Sequence, residues 1–318
     1  MSDTTDQDAE LEEVLSGLRE DPPTLSPRWF YDELGSALYE AITRLPEYYP
    51  ARAEHDLLES HGPEIGGRLP ERALLVELGS GSAAKASRIL PHMRAAGGYH
   101  PLEVSVTALD ATVEEARERF PALEVRGHAV SFADPDSFGE LLHALGSEHE
   151  LALYFSGSTI SNFERHQANE LLDQIAARVA PGTAFLLGLD LIKAPERLVA
   201  AYDDSVGVTA AFNRNALAHL NREFGTDFEP RRWAHEAVWN EELERIEMWL
   251  CAREREVVRV GETELVFEAG TRLHTESSHK WSTASVETLI EGTPWKLDGW
   301  WTDARSDFGE ALLVRTGA

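Results

Sequence analysis

The sequence predicts an α/β fold in which a mostly parallel sheet, covered by helices, is interrupted late in the chain by an α+β insertion. Three observations carry that prediction. Between residues 73 and 191 short apolar runs alternate with helix-length amphipathic segments, as strands joined by crossovers do. Between residues 233 and 267 the pattern changes to alternation of apolar and polar residues, as in an antiparallel sheet with one wet face. The first apolar run empties into a glycine turn, Gly79-Ser80-Gly81, ahead of a helical stretch.

Residues 1–20 read as a flexible acidic tail with a short helix over 10–18. A helix is predicted to start at Ser26 as N-cap with Pro27 in its first turn. Phe30, Leu34, Leu38, Ile42 and Leu45 form its apolar stripe, and Pro46 stops it. Glu47-Tyr48-Tyr49-Pro50 is a rigid aromatic loop, followed by a helix over 53–61. Strands are expected over 73–78, 102–109, 123–128, 151–155 and 183–191. Helices over 83–96, 112–120, 138–145 and 164–179 separate them. Two more helices follow, over 196–202 and 208–224, the latter with Val208, Phe212, Ala216, Leu220 and Phe224 on one stripe and Gly225 as its stop. In the alternating stretch Ile246, Met248 and Leu250 face away from Glu247, Trp249 and Cys251, and Gly261-Glu262 makes a hairpin turn. A helix over 286–291 and a hairpin of strands over 297–301 and 310–314 close the chain.

Composition narrows the function classes. With 318 residues and 42% hydrophobic content the chain can bury a sizeable core. Acidic residues number 56 against 29 basic, a net charge of −27. Such a field repels phosphate backbones, so nucleic acid is excluded as a partner. No apolar run has the length of a bilayer span, and the N-terminal segment is acidic rather than basic and then apolar, so no membrane association and a cytoplasmic location are expected. The single cysteine, Cys251, cannot form an intramolecular disulfide and reads as a buried thiol. The twelve histidines make no ligand pattern: His235-Glu236 lacks a second histidine at metal-binding spacing, and His274 and His279 stand in a strand and a loop. No metal is expected.

The stretch Leu74-Leu75-Val76-Glu77-Leu78-Gly79-Ser80-Gly81-Ser82 brings a strand into a tight turn where a ligand can approach the strand ends. A dinucleotide fingerprint would place a third glycine at position 84, which is alanine here, and the turn opens with Glu77. An acid there suits a cationic or zwitterionic ligand better than a pyrophosphate, and S-adenosylmethionine fits. Asp110, after the second expected strand, is placed to accept ribose hydroxyls. Phe132 is placed to pack on an adenine, and Lys85, a cation in the first turn of a helix, is placed to face a ligand carboxylate. Each has a plainer role open to it: a strand–helix turn, a helix cap at Asp110, a core Phe132, a solvated Lys85.

Six strings narrow the function further: Trp29-Phe30-Tyr31-Asp32, Leu45-Pro46-Glu47-Tyr48-Tyr49-Pro50, Ser156-Gly157-Ser158-Thr159-Ile160-Ser161-Asn162, Ala201-Tyr202-Asp203-Asp204, Ala211-Phe212-Asn213-Arg214-Asn215 and Arg245-Ile246-Glu247-Met248-Trp249-Leu250. In order and spacing they resemble the histidine-specific Nα-methyltransferases of ergothioneine biosynthesis, from about Pro27 onward. The resemblance implies a class I (Rossmann-like) methyltransferase with a seven-stranded sheet and an inserted substrate domain. It implies three methylations of free L-histidine, as a monomer, with S-adenosylmethionine as donor and no metal. Residues 21–60 and 195–280 would bind substrate, and 61–194 and 281–318 the cofactor.

Carried over residue by residue, the resemblance gives Asn162 and Tyr202 the substrate carboxylate and places Tyr31 and Gly157 near the amine. Tyr31 is the catalytic residue, relaying the amine proton through water. Tyr48, Glu276 and Ser278, with Ser277 beside them, would recognise the imidazole, and Met248 would line the pocket. Gly79, Lys85, Asp110, Ser131 and Phe132 would hold the cofactor. Read without the resemblance, the three tyrosines are amphipathic core residues, Asn162 a helix cap and Met248 core. The pattern breaks at Ser131, where the family has an acid, at Tyr39, where an apolar aromatic is common, and at Ser161 and Ser277. The competing readings are a same-fold enzyme acting on tryptophan and a catalytically silent cofactor-binding subunit.

Overall fold

The computed structural model describes residues 3–132 and 134–317; residues 1 and 2 of the expected tail and residue 318 of the closing segment lie outside the described residues. In chain order the helices and strands are α1 (Asp3–Leu18), α2 (Glu33–Thr43), α3 (Pro50–Arg68), β1 (Leu74–Leu78), β2 (Gly98–Leu102), α4 (Val106–Arg119), α5 (Pro135–Glu148), β3 (Leu151–Phe155), α6 (Arg165–Ala176) and β4 (Ala184–Asp190). They continue with α7 (Pro195–Tyr202), α8 (Val208–Phe224), β5 (Trp233–Asn240), β6 (Arg245–Ala252), β7 (Glu256–Val260), β8 (Thr263–Phe267), β9 (Arg272–His279), α9 (Thr283–Leu289), β10 (Trp295–Thr302) and β11 (Phe308–Arg315). The chain divides into two compact units, Met1–Tyr49 with Lys193–His279 and Pro50–Ile192 with Lys280–Ala318. The first boundary falls at 49/50 rather than 60/61, because α3 runs unbroken through residue 60 and packs on β10 and β11.

The larger unit is built on a six-stranded sheet in the order β10-β11-β4-β3-β1-β2. The run β4-β3-β1-β2 is parallel, and β11 joins β4 antiparallel. Every residue of β1, β2, β3 and β4 is buried, which is why β1, β3 and β4 read as near-continuous apolar runs rather than alternations. The expected fifth parallel strand over 123–128 is reduced to two isolated bridges, Val125 with Tyr99 and His128 with Leu102. Pro101 lies on β2 between those contacts and has no N–H to complete the ladder, so the sheet has six strands among the described residues, not seven.

Two other expectations fail for local reasons. The helix over 83–96 is replaced by two short 3-10 turns, Ala86–Arg88 and Leu90–His92, because Pro91 cannot donate in a helix interior. The strand over 102–109 ends at Leu102: the Ser105 hydroxyl accepts from Ala108 N at 3.3 Å and caps α4. Val104 and Val106, whose alternation suggested a strand, are exposed.

In the smaller unit α1 is no loose tail, since Val14, Leu15 and Leu18 are buried. The single helix expected over 26–45 is a 3-10 turn, Pro27–Phe30, followed by α2, with the break at Tyr31-Asp32. Asp32 caps α2 by accepting from Gly35 N at 2.7 Å, and its other contacts are the Asn215 amide at 2.8 Å and the Arg222 guanidinium. A Cβ at Gly35 would collide with the Phe30 carbonyl oxygen, so a side chain there would close this break. The stripe is correspondingly broken, with Phe30 and Ile42 buried and Leu34 exposed. Helix α8 stops at Gly225 (φ +65°), as expected. Strands β5, β6 and β9 form an antiparallel sheet and β7 and β8 a hairpin. Of β9 only His274 was expected in a strand, with His279 in a loop, because Thr275, Glu276, Ser277 and Ser278 are buried yet polar. Polar burial hides a strand from any hydrophobic pattern.

Candidate active site

In the larger unit, β1 lies between β2 and β3, so the strand order reverses at β1, one strand in from the β2 edge. Ligands of open α/β sheets bind outside the carboxyl ends of the strands at such a switch. There the turn after β1 holds Gly79 at φ +64° and Gly81 at φ +57°. A Cβ on Gly81 would meet nothing within 4 Å, and one on Gly79 would meet only Phe132 Cε1, at 3.6 Å. Ser80 N donates to Leu102 O at 3.1 Å, tying the turn to the end of β2, while the buried Ser80 hydroxyl has no hydrogen-bond partner.

The acid at the end of β2 is Glu103, not Asp110. Glu103 accepts from Gly81 N at 3.2 Å through one oxygen and from Val104 N at 2.9 Å through the other, and it is half-buried. Asp110 is an exposed residue inside α4, displaced from the strand end because the strand stops seven residues earlier than the alternation suggested. The signal that marks Glu103 in the sequence is Ser105 as a helix cap two residues on. Phe132, with Ser131 before it, is half-buried and meets Phe155 edge-on at 5.0 Å and Phe163 at 6.1 Å. Open space over two glycines, an unpartnered Ser80 hydroxyl, a strand-end carboxylate and an aromatic ring together fit an adenosine-bearing ligand.

Glu77 is fully buried on β1. Tyr99 donates to its Oε2 at 2.6 Å, and its Oε1 has no partner. Burial raises its pKa to about 7, against the opposing pull of the Tyr99 hydrogen bond and the Lys85 charge. A folded-state pKa above the unfolded one means this carboxyl stabilises below the unfolded pKa and loses that contribution as pH rises through 7. Glu77→Gln does not share the loss. Its stability relative to wild type should therefore improve by up to about 3 kcal/mol between pH 5 and pH 8. Denaturant unfolding at both pH values checks this, and a difference that stays constant with pH contradicts it.

Lys85 pairs with Glu54 of α3 at 2.9 Å and donates to the Ser156 hydroxyl at 3.2 Å. After β3 the backbone turns through Gly157 (φ +69°) and Ser158 (φ +59°) into the 3-10 turn Thr159–Asn162, which carries the half-buried Asn162. Ser161, one of the variant positions, is part of what holds this turn. It meets the Ser158 hydroxyl at 2.5 Å and accepts from Trp281 Nε1 at 2.8 Å, while Ser158 accepts from Asp190 N at 2.8 Å. Asp190 in turn pairs with the buried Lys280 at 2.9 Å.

In the smaller unit the 3-10 turn before α2, α2, α7 and α8 bring aromatic rings together. Tyr31 lies 5.9 Å from Tyr39, Tyr39 6.3 Å from Tyr48, and Tyr48 6.2 Å from Tyr202, all edge-on. Phe212 backs Tyr31 at 5.6 Å and Tyr39 at 6.1 Å. Burial, with Tyr39 and Tyr202 adding to it, pushes the Tyr48 hydroxyl well above the usual phenol range, so it stays a neutral donor. Tyr31 is the exposed member of the group.

The Tyr202 hydroxyl meets the Ser278 hydroxyl at 2.9 Å. Glu276 lies two residues along β9 on the same face, buried and in register with Met248. Ser277 does not join them: it points to the opposite face of β9, where its hydroxyl meets His274 at 3.1 Å. Two residues that the sequence reading left without a role hold Tyr202 from behind. His235 Nε2 donates to the Tyr202 carbonyl at 2.8 Å, and Asn213 donates to His235 Nδ1 at 2.8 Å. Burial lowers the His235 pKa, so the ring is a neutral imidazole in one tautomer. Among the described residues no group of three or more His, Cys, Asp or Glu gathers as an ion site, and no helix is long and apolar enough to cross a membrane.

Comparison with known proteins gives a consistent answer. A family model described as "Histidine-specific methyltransferase, SAM-dependent" matches residues 10–315. The chain is 40% identical over 308 residues to the histidine N-alpha-methyltransferase of Mycobacterium tuberculosis (strain CDC 1551 / Oshkosh), covering 95% of this chain and 94% of that one. It is 30% identical over 288 residues to ergothioneine biosynthesis protein 1 of Neurospora crassa, covering 86% of this chain and 32% of the longer relative. Among solved structures it is similar to the CcbJ methyltransferase from Streptomyces caelestis, at 14% identity and a TM-score of 0.45, over 80% of this chain and 95% of that one.

Proposed function

The chain belongs to the histidine-specific, S-adenosylmethionine-dependent methyltransferases, and on that premise we propose that it adds three methyl groups in succession to the α-amino group of free L-histidine. The product is hercynine, and the step is one of ergothioneine biosynthesis. The observation that carries the acceptor assignment is the tyrosine-walled cluster in which the Tyr202 hydroxyl meets Ser278, with the buried carboxylate of Glu276 on the same strand face.

When bound, S-adenosylmethionine supplies an electrophilic methyl group on its sulfonium. The protein's task is to align a neutral amine with it, because an ammonium has no lone pair to offer. Tyr31, the solvent-facing phenol of the cluster, passes the amine proton to water. Tyr39, Tyr48 and Tyr202 present ring surface to the growing methylammonium, a cation–π contribution of about 0.5–2 kcal/mol. Glu276 and Ser278 pair the imidazole, Met248 lines its pocket, and Asn162 and the Gly157 backbone complete the acceptor contacts.

On the cofactor side Gly79 leaves room for the ligand, Glu103 takes the ribose hydroxyls in place of Asp110, and Phe132 packs on the adenine. Ser131 offers the adenine a hydroxyl where relatives place an acid, and Lys85 faces the carboxylate. The protein works as a monomer in the cytoplasm, with no nucleic-acid or membrane partner.

Incubation with methyl-labelled S-adenosylmethionine and each free amino acid tests the proposal. The expected result is a product three methyl groups heavier than histidine, from histidine alone. Label on tryptophan would move the acceptor, and cofactor binding without turnover on any amino acid would make the chain a binding subunit.

A further inference from the structure

Glu54 has no role in the sequence reading, yet it is a buried carboxylate with three partners near the strand ends. It sits on α3 and is 1% exposed. Its Oε1 accepts from Gly157 N at 2.7 Å and from the Tyr154 hydroxyl at 3.3 Å, while its Oε2 pairs with Lys85 Nζ at 2.9 Å. The space around it suits a carboxylate closely: a Cβ on Gly188 of β4 would lie 3.0 Å from Oε1. One on Gly157 would lie 2.9 Å from the Lys85 ammonium. One side chain thus ties the turn after β1, through Lys85, to the turn after β3, through Gly157. Both turns flank the switch point of the sheet.

We propose that Glu54 is a positioning residue for the amino-acid end of the cofactor, orienting the Lys85 ammonium to which that end binds while its other oxygen keeps the Gly157 peptide in place for the acceptor. The inference rests on the proposed cofactor roles of Lys85 and the β1 turn. Lys85 keeps about a third of its side chain exposed while its partner is sealed, so the buried carboxylate anchors the ammonium and leaves it facing outward.

The network behind Glu54 is consistent with this pairing. The Tyr154 hydroxyl lies 3.3 Å from Glu54 and 3.2 Å from Glu310, and one phenolic proton cannot serve both. Burial, with Glu54 adding to it, pushes Glu310 well above the carboxylate range, so Glu310 carries a proton of its own. The Lys85 ammonium is paired with Glu54. The titratable neighbours of Glu54 are Lys85, Tyr154, Glu77 and Glu310.

The test is calorimetric binding of S-adenosylhomocysteine to the full chain. Glu54→Gln keeps an acceptor for Gly157 but sets an amide against the ammonium, and the affinity is expected to fall about tenfold. The KM for S-adenosylmethionine should rise while the KM for histidine stays within about twofold. Lys85→Met should weaken binding similarly, and adding Glu54→Gln to it should cost almost nothing more. Additive losses, or an unchanged affinity in Glu54→Gln, overturn the proposal.

Should Glu54→Gln fail to fold, Lys85→Met alone decides. Its affinity for S-adenosylhomocysteine should fall about tenfold with the KM for histidine within about twofold, and an unchanged affinity would refute the Lys85 role through which Glu54 acts. A wild-type protein that binds no S-adenosylhomocysteine would instead refute the cofactor reading itself.

Discussion

Glu103→Ala is expected to weaken S-adenosylhomocysteine binding by roughly a hundredfold, while Asp110→Ala leaves it within about twofold. A strand-end carboxylate that accepts both hydroxyls of a ribose makes two charge-assisted hydrogen bonds, each worth about 1.5–3 kcal/mol. Glu103 is prepared for that task. Its oxygens already accept from Gly81 N and Val104 N, which fix the carboxylate where β2 ends and leave it half open to a ligand. Both backbone donors fix its position, so the acceptor is in place before any ligand arrives. Asp110 stands on an exposed position of α4. Calorimetric titration of both variants separates the two acids in one experiment. Equal affinities for wild type and Glu103→Ala would mean that the ribose is held elsewhere, and a large loss in Asp110→Ala would restore the strand-end position to that residue.

The contrast between those two acids shows what was legible in the sequence and what was not. Strands buried on both faces announce themselves as apolar runs, and β1, β3 and β4 lie where the runs are. The α8 boundaries were legible for a similar reason, with one stripe and one glycine stop. β2 was misplaced because its residues, Gly98-Tyr99-His100-Pro101-Leu102, hold a glycine, a proline and a histidine, whereas the next few alternate valine with polar residues like a strand. The local capping bond of Ser105 decides for helix there, and a two-residue period does not register a cap.

β9 beyond His274 was missed for the opposite reason. Its interior is polar because its side chains bond to one another and to neighbouring elements, as Thr275 does to Met248 O at 3.0 Å. Buried polar residues are costly unless satisfied, so a strand made of them points to function rather than to core formation. The tyrosines and Asn162 were found through a resemblance in motif order, which carries no geometry. The roles of Asn213 and His235 behind Tyr202, and of Glu54 behind Gly157 and Lys85, were carried by no motif and emerge only from distances.

Glu276→Ala is expected to lower kcat/KM for histidine by about a thousandfold while leaving S-adenosylhomocysteine affinity within about twofold. The argument begins with burial. Glu276 lies at 8% exposure on β9, in register with Met248 and on the face where Ser278 meets Tyr202. A carboxylate in such a place gains most from a guest bearing an N–H donor, and an imidazole has one in its neutral form and two when protonated. A side chain without that donor forfeits this charge-assisted hydrogen bond, and the loss is what gives selectivity. Glu276→Gln keeps an acceptor oxygen but not the charge, so its loss should be smaller, about tenfold. Selectivity should relax in the same order, with turnover of apolar amino acids rising relative to histidine in Glu276→Ala before it does in Glu276→Gln. Ser277→Ala is the internal control, because its hydroxyl faces away from this surface and meets His274 instead, so its kcat/KM should stay near that of wild type. A set in which Ser277→Ala is as impaired as Glu276→Ala would turn the strand over and place the acceptor on the Trp249 and His274 side. A set in which both variants keep full histidine turnover would remove β9 from acceptor recognition altogether.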